Sequence, residues 1–535
     1  MTKRQRNHWG WGWQDKFPAD KTRQGLGKMI SAFLGFPELH PESPVPLQSI
    51  QLPSSRHAPP ESLQGFCSNQ PGDRIHHTYG KAYRDLVRGF HGDYGNAPDW
   101  VAYPQKESDI RALLEWASRK DIAVIPFGGG TSVVAGVEAC NRDHLPAVCS
   151  LDMRAFNRVQ EVDPIAQLAR IQAGTLGPHL EEQLGQHGFT LRHFPQSFEF
   201  SSLGGWIATR AGGHFATVYT HIDELVAATR TLTPSGLMET EARPASGAGP
   251  CPNRLILGSE GTLGIITEAW MRLHERPRYR TRASVLFDDF SKAVRATRAI
   301  AQSRLFPSNC RLLDKNEARL HQVPTAGRHV LLLGFEAVEN DRLPWMKRAL
   351  ALTESEGGEC PKGIQHQEEG TTPTHGNASA SWRAAFLDAP YLFNSLVSLG
   401  VICDTFETAC TWSQFPTLHH ELTQALESTM RSVCGQGFIS CRFTHVYPDG
   451  PAPYYTFIAP GRRGAELEQW ATIKATVSNV LRRHGATITH HHAVGRTHRP
   501  WYDRERPELF ARVLRASKKE LDPRGILNPG VLLDP

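Results

Sequence analysis

The chain has 535 residues, 40% of them hydrophobic, 21% charged and 9% aromatic, with a formal net charge of +5. At roughly 100–200 residues per domain that is enough for about three units with sizeable cores, and the composition excludes a largely disordered or collagen-like chain. So small a cationic excess, spread along the chain, excludes a dedicated nucleic-acid binder, and no apolar run reaches the ~18–20 residues of a spanning helix.

Residues 1–94, with Trp9-Gly10-Trp11-Gly12-Trp13 and the proline-rich stretch from Pro41 to Pro46, read as an arm of turns and extended pieces packed on a larger body. Ile110, Leu113, Leu114 and Ala117 then recur at helical spacing behind Ser108 and Asp109 as capping candidates, so a helix with one buried face is expected. Ile122 to Pro126 is a short apolar strand running into glycines; helix, strand and glycine loop together are an α/β signature. Leu168 to Ala173 reads as another strand, and Leu180 and Leu184 suit one helix face before Gly188 ends it. Beyond Glu275 the glycines thin out. Residues 282 to about 480 mix strands such as Val330 to Phe335 with helices and a polar loop from Glu354 to about Ser379, which reads as a second domain. The ten cysteines include no C-x-x-C pair and no dense framework, so a reducing compartment is expected, with neither a disulfide scaffold nor a zinc ribbon, and no metal site is anticipated.

Three segments carry chemistry. Pro126-Phe127-Gly128-Gly129-Gly130-Thr131-Ser132 can bring several backbone N–H groups close to a pyrophosphate, because glycine permits tight turns and leaves no Cβ in the way. It is neither a Walker A loop nor a G-x-G-x-x-G opening a helix, and in isolation an ordinary tight turn explains it equally well. The second segment runs His193-Phe194-Pro195-Gln196-Ser197-Phe198-Glu199-Phe200-Ser201-Ser202, then Gly204-Gly205, to Thr209-Arg210-Ala211-Gly212, and sets hydroxyls beside glycines. The third, Gly258-Ser259-Glu260-Gly261-Thr262-Leu263-Gly264-Ile265-Ile266, ends in a strand-like apolar run. Three such segments in this order are hard to dismiss as separate turns.

In that order the segments resemble the PCMH-type FAD-binding domain of the vanillyl-alcohol oxidase superfamily. The resemblance runs over nearly the whole chain, through Cys441-Arg442 and Tyr454, and Phe406-Glu407-Thr408 and His490-His491-His492 narrow it to the alkyldihydroxyacetonephosphate synthase family. The resemblance implies an α+β fold: a two-part FAD-binding domain over residues 95–276, a substrate or cap domain with an antiparallel sheet over 281–489, and a segment 490–535 closing the active site. It implies that Pro126 to Ser132, His193, Gln196 to Ser202, Thr209 to Gly212 and Glu260 to Ile266 bind FAD. Where superfamily members attach flavin covalently they commonly use His or Cys, and Gly129, Gly130 and Thr131 here imply a non-covalent complex. The implied reaction exchanges the acyl group of acyl-dihydroxyacetone phosphate for a long-chain alcohol, without net redox. A lipid-like small molecule is thus the implied partner, with a cytoplasmic location; a peripheral membrane contact and a homodimer stay open.

The resemblance also assigns roles. Tyr454 matches the family's proton-transfer tyrosine, whereas Tyr455 falls on a phenylalanine position. Arg311 matches an arginine held close to the flavin, and His490, His491 and His492 assist. A phenol with an ordinary pKa near 10 needs a neighbouring cation to act as a base at neutral pH, and Arg311 and the histidines are the expected suppliers. On a strand, His490 and His492 share one face and His491 takes the other, so the three cannot form one compact tetrahedral metal site. Counted back from Asp404 to Thr408, the family's substrate-phosphate arginine falls on Phe393, whose ring cannot make a bidentate phosphate contact. That departure keeps open a second reading, an FAD-linked dehydrogenase of 2-hydroxy acids; a third, a flavin-binding interaction protein, is weaker because the active-site residues are present.

Overall fold

The computed structural model describes residues 4–139, 144–215, 217–218, 221–368 and 390–534. Part of the polar loop expected between Glu354 and Ser379 lies outside them. Strand Val148–Asp152 is buried at every position. It lies between Trp100–Ala102 and Ala123–Phe127, both parallel to it, which is why its sequence runs apolar instead of alternating. Cys67–Ser68 adds an antiparallel edge. The expected helix is Glu107–Lys120, with Ile110, Leu113, Leu114 and Ala117 all buried. Asp109, not Ser108, closes its N-terminus: the carboxylate accepts from the backbone of Gln105 and Lys106.

A second, antiparallel sheet follows in the order Val159–Asp163, Leu168–Gln172, Ile265–Arg272, Val226–Thr233, Gly236–Glu239. Helices Gly177–Gly185 and Leu203–Thr209 pack on it, burying Leu180, Leu184, Leu203 and Ile207. The first of these ends before Gly188, which takes a left-handed φ of 79° just beyond it.

The remaining half is one seven-stranded antiparallel sheet, ordered Gln365–Glu368, Tyr279–Phe287, His329–Ala337, Asn309–Leu313, Phe438–Val446, Pro451–Pro460, Val401–Glu407. Helices Phe290–Gln302, Leu343–Glu354, Phe415–Cys434 and Glu466–Arg483 cover one face, and helix Phe415–Cys434 is buried at Leu418, Leu422, Leu426 and Met430, a single stripe. Because side chains alternate across a strand, Cys310, Leu312, Cys441, Phe443, Tyr455 and Phe457 enter that core. Their neighbours Arg311, Arg442, Thr444 and Tyr454 face a cavity on the other side. The resemblance-based choice of Tyr454 over Tyr455 thus coincides with the pleat.

The N-terminal arm departs from its expected texture. It holds helices Asp20–Leu34, Pro71–His76 and Tyr83–Phe90 among its extended pieces. The first was hidden because two glycines and a mostly polar surface leave only Arg23, Gly27 and Ile30 buried. Trp9 and Trp11 are anchors: both sink into the core beneath the seven-stranded sheet, and Trp11 exchanges two backbone hydrogen bonds, 2.8 and 2.9 Å, with the Asn394 amide. The C-terminal residues return to the first sheet, where Val124 N–H donates to Ile526 and Asn528 N–H to Val124. Among the described residues no helix is long and apolar enough to cross a membrane.

Candidate active site

Between the open face of the seven-stranded sheet and the glycine segments lies a cavity of about 260 Å³. Pro126, Phe127, Gly128, Gly129, Gly130, Thr131 and Ser132 form one wall, Gln196, Ser197, Ser201, Ser202, Thr209, Ala211 and Gly212 a second, and Glu260, Gly261, Gly264, Ile265 and Ile266 a third. The first two interlock too closely for side chains. A Cβ on Gly128 would lie 2.2 Å from Ser202 Oγ and one on Gly129 1.7 Å from the Phe200 carbonyl oxygen, while Gly130 takes a φ of 67°. Among the described residues the backbone N–H groups of Gly129, Gly130, Thr131 and Ser132 donate to no protein acceptor. Four successive free donors at a cavity wall fit the pyrophosphate of FAD.

Several expected flavin contacts lie off the cavity wall. Leu263 is core, and the Thr262 hydroxyl turns back to the Ser259 carbonyl. Phe198 stacks on Trp206, and His193 is fully buried beside the same indole, its ring nitrogens without a partner among the described residues. The Phe200 ring lies under the Arg6 guanidinium, and Glu199 accepts from Trp13 Nε1 at 2.7 Å and Tyr391 at 3.1 Å, so both tie down the arm. Arg210 bonds outward to Asp223 at 2.8 Å. Glu260 does line the cavity, but its carboxylate accepts from the backbone of Val494 and Gly495 at 2.9 and 2.8 Å. Burial pushes its pKa up to about 7.

On the sheet side Tyr454 and Arg442 sit directly opposite each other in register, and the guanidinium lies 3.8 Å from the phenol ring centroid. The Tyr454 hydroxyl donates to Thr405 Oγ1 at 2.9 Å. Burial pushes this phenol up to about 12, while Arg442 and the Thr405 bond pull it back. The cation at the phenol is therefore Arg442, where Arg311 and the histidines were expected. Arg442 itself ion-pairs with buried Glu317, which also accepts from Ser440. Arg311 lines the cavity a strand away, donating to the His214 carbonyl at 2.9 Å and to its ring nitrogen at 3.2 Å. Burial, then Arg442, lowers it to about 9, which leaves it cationic at neutral pH.

The triple histidine lies in an irregular turn, not a strand, so the expected alternation fails. His491 and His492 both face the cavity, and His490 points behind it to Tyr447 at 2.8 Å and His221 at 3.2 Å. The cause is Glu407. Its buried carboxylate accepts from the backbone N–H groups of His490 (2.5 Å), His491 (3.2 Å) and His492 (3.0 Å) and from Thr489 Oγ1 (2.5 Å), wrapping the segment around one acceptor. Burial opposes ionisation here, but the neighbouring imidazoles and donors outweigh it and hold the carboxyl well below the usual range. His445, from strand Phe438–Val446, joins the group, one ring nitrogen from each of His445, His490 and His491 lying within 4.8 Å of the other two. The His445 nitrogens already bond to Gly213 and Thr444, His490 Nε2 to Tyr447 and His221, and His490 Nδ1 to His491 Nδ1. Burial lowers His491 to about 3 and His492 to about 4, and drives His445 and His490 well down. All four are neutral near pH 7, which suits proton relay and disfavours anion binding.

Sequence reasoning quoted Glu407 and Arg442 inside matching motifs without giving either a role, and missed Glu317, His445 and Thr405. Their partnerships depend on strand register, and no local pattern announces register.

Comparison with known proteins agrees. Residues 98–241 match the family described as FAD binding domain, and residues 276–532 the family of FAD linked oxidases, C-terminal domain. The fold and cavity therefore define a two-domain FAD enzyme of the PCMH-type α+β class. The alkyldihydroxyacetonephosphate synthase of Dictyostelium discoideum is 32% identical over 476 residues, 86% of this chain and 77% of that protein. The enzyme of Trypanosoma brucei brucei is 30% identical, with coverages of 86% and 77%. A solved alkyldihydroxyacetonephosphate synthase structure superposes over 98% of both chains with a TM-score of 0.80 at 26% identity. The chain belongs to the alkyldihydroxyacetonephosphate synthase family, FAD-dependent enzymes of ether-lipid synthesis.

Proposed function

We propose that Tyr454, Arg442, Thr405, His491 and His492 carry the exchange of the acyl group of acyl-dihydroxyacetone phosphate for a long-chain alcohol. The observation behind this reading is a single cavity wall holding a protonated phenol, a guanidinium over its ring and neutral imidazoles, opposite the donor-lined glycine loop. When bound, FAD supplies an electrophilic centre for the reacting carbon. Tyr454, protonated at neutral pH, donates a hydrogen bond to the departing group, which leaves as the carboxylate, and Arg442 and the Thr405 hydroxyl hold the phenol in place. The incoming alcohol gives up its proton to the imidazoles, so the products are the alkyl ether, one fatty-acid anion and a proton. His491 and His492 pass protons between cavity and solvent, and His490 positions His491, the two Nδ1 atoms lying 3.0 Å apart. Arg311, a cation on the cavity wall, would stabilise negative charge developing on a bound flavin. The flavin is bound without a covalent link.

The test is spectral. Under anaerobic conditions the flavin band should change on addition of an acylated dihydroxyacetone phosphate and recover when a long-chain alcohol is added, with no electron acceptor present. Lasting bleaching by lactate or glycolate, with no response to the acylated ketone, would sink this reading in favour of a 2-hydroxy-acid dehydrogenase.

The same reading includes a peripheral membrane contact at helix Glu508–Leu521. It buries Ala511 and Leu514 and turns Leu509, Phe510 and Val513 outward, 63%, 49% and 55% exposed, beside exposed Arg512, Arg515 and Lys519. An apolar edge flanked by cations suits the interface of an anionic bilayer. A cytoplasmic location fits the free thiols found at every described cysteine.

A further inference from the structure

Among the described residues, the Lys and Arg side chains on the cavity wall are Lys81, Arg311 and Arg442. Protein partners hold two of them: His214 takes Arg311, and Glu317 with the Tyr454 ring takes Arg442. The ammonium of Lys81 makes no hydrogen bond or ion pair among the described residues. Its place is set by the glycine loop, because the Lys81 N–H donates to the Ser132 carbonyl at 2.6 Å, and Gly80 approaches so closely that a Cβ there would lie 2.1 Å from the same oxygen. The lysine stem therefore starts where the four free N–H donors of Gly129 to Ser132 end.

The charged surroundings are nearly all of one sign. Arg6 lies close, its guanidinium 3.4 Å from the Gly129 carbonyl, and His8 and His76 also feel the Lys81 charge. The acid in range is Asp85, which is spent on the Ala82 backbone and Arg84, and whose pKa burial pushes up to about 7. An ammonium facing a cavity beside a second cation, with no carboxylate aimed at it, is costly until an anion arrives. Burial, then Arg6, accordingly lowers Lys81 to about 7. A row of backbone donors plus one cation at the end of the row is a phosphate site in its chemistry.

We infer that Lys81 is the phosphate-binding cation of the cavity, contacting either the pyrophosphate of the flavin or the phosphate monoester of the ketone substrate. The second source rests on the proposed function; the first needs only that FAD binds.

The experiment uses holoenzyme carrying Lys81→Met, Lys81→Gln or Lys81→Arg. Flavin affinity is read from the fluorescence of FAD released on dilution, and substrate recognition from KM and kcat for an acylated dihydroxyacetone phosphate. Losing one charge-assisted contact should cost roughly ten- to a hundredfold in one of these two quantities. A raised FAD dissociation constant at unchanged KM assigns the pyrophosphate; a raised KM at near-normal kcat and unchanged FAD affinity assigns the substrate phosphate. In either case Lys81→Arg restores most of the loss. If wild-type enzyme shows no exchange activity, the functional reading fails, while the flavin arm still judges Lys81. Lys81→Gln keeps a polar head and stands in should the methionine variant not fold. FAD affinity and KM both within twofold of wild type, or a loss that arginine does not restore, would overturn the inference.

Discussion

Glu407→Gln tests whether one carboxylate organises the catalytic turn. In the native protein both oxygens are used: Oε2 receives His490 N–H at 2.5 Å, and Oε1 receives Thr489 Oγ1 at 2.5 Å and His492 N–H at 3.0 Å. A carboxamide has one oxygen. Placed toward Thr489 and His492, it sets an N–H₂ against the His490 N–H and leaves a buried donor unpaired, at about 1–3 kcal/mol. The bonds that survive lose charge assistance, about 0.5–1.5 kcal/mol for the pair. Together about 2–4 kcal/mol is withdrawn from residues 489–492, which means local opening easier by roughly thirtyfold or more. Hydrogen exchange read by mass spectrometry on a peptide spanning 487–495 should show that loss of protection, and turnover should fall at least tenfold while FAD stays bound. Native protection of this peptide in the variant would refute the reasoning, whatever happened to activity.

Tyr454→Phe should retain FAD and lose turnover by about a hundredfold or more, since it removes only the hydroxyl bonded to Thr405; a loss under threefold would show that the phenol takes no part in the exchange. Tyr455→Phe should do the reverse, sparing kcat but leaving half-buried His419 Nδ1, 3.0 Å from the phenol oxygen, without its partner, so that stability falls by about 1 kcal/mol in chemical denaturation. The buried imidazoles predict acid sensitivity. His445, His490, His491 and His492 have folded pKa values below the ordinary 6.5, so below that pH the unfolded chain binds more protons than the native one. Their contribution is complete above about pH 6.5 and is lost as pH falls toward the folded values, by about 1.4 kcal/mol per unit for each histidine. Unfolding free energies that stay level from pH 7.5 to 5.5 would contradict the neutral cluster. Finally, replacing Leu509, Phe510 and Val513 together by serine should abolish flotation with anionic vesicles and leave activity on short-chain, soluble substrates intact.

Much of this architecture was legible in the sequence, because its local signals agree with its tertiary outcome. The stripe of Ile110, Leu113, Leu114 and Ala117 has one period and one solution, and the glycines at 128–130 leave room for nothing larger. What stayed hidden was non-local. Glu407 and His490 are adjacent only because strand Val401–Glu407 ends beside the turn after helix Glu466–Arg483; Arg442 meets Tyr454 only through antiparallel register. The expected alternation of the three histidines failed for the same reason: a period of 2 holds for a chain bonded to neighbouring strands, and here one carboxylate takes the place of a strand. Lys81 was invisible as well, since a lysine ahead of a helix reads as surface until its cavity is known.

The two buried glutamates divide the work of joining the halves of the enzyme. Glu407 belongs to the seven-stranded sheet and grips residues 489–492; Glu260 belongs to the third glycine segment and grips Val494 and Gly495. The histidine turn is thus a bridge held at both ends through its backbone, which leaves the imidazoles free to be neutral and to exchange protons. The two ends differ in character. Four hydrogen-bond donors keep Glu407 ionised against its burial, whereas Glu260, with two backbone donors in a fully buried site, sits near neutrality. The grip on the sheet is therefore the stronger one, and Glu260 ties the other end of the turn to the third glycine segment. A reaction divided between a flavin on one half and a phenol on the other needs the halves fixed relative to each other before substrate arrives. In the proposed mechanism the three histidines thus depend on a glutamate at each end of their turn.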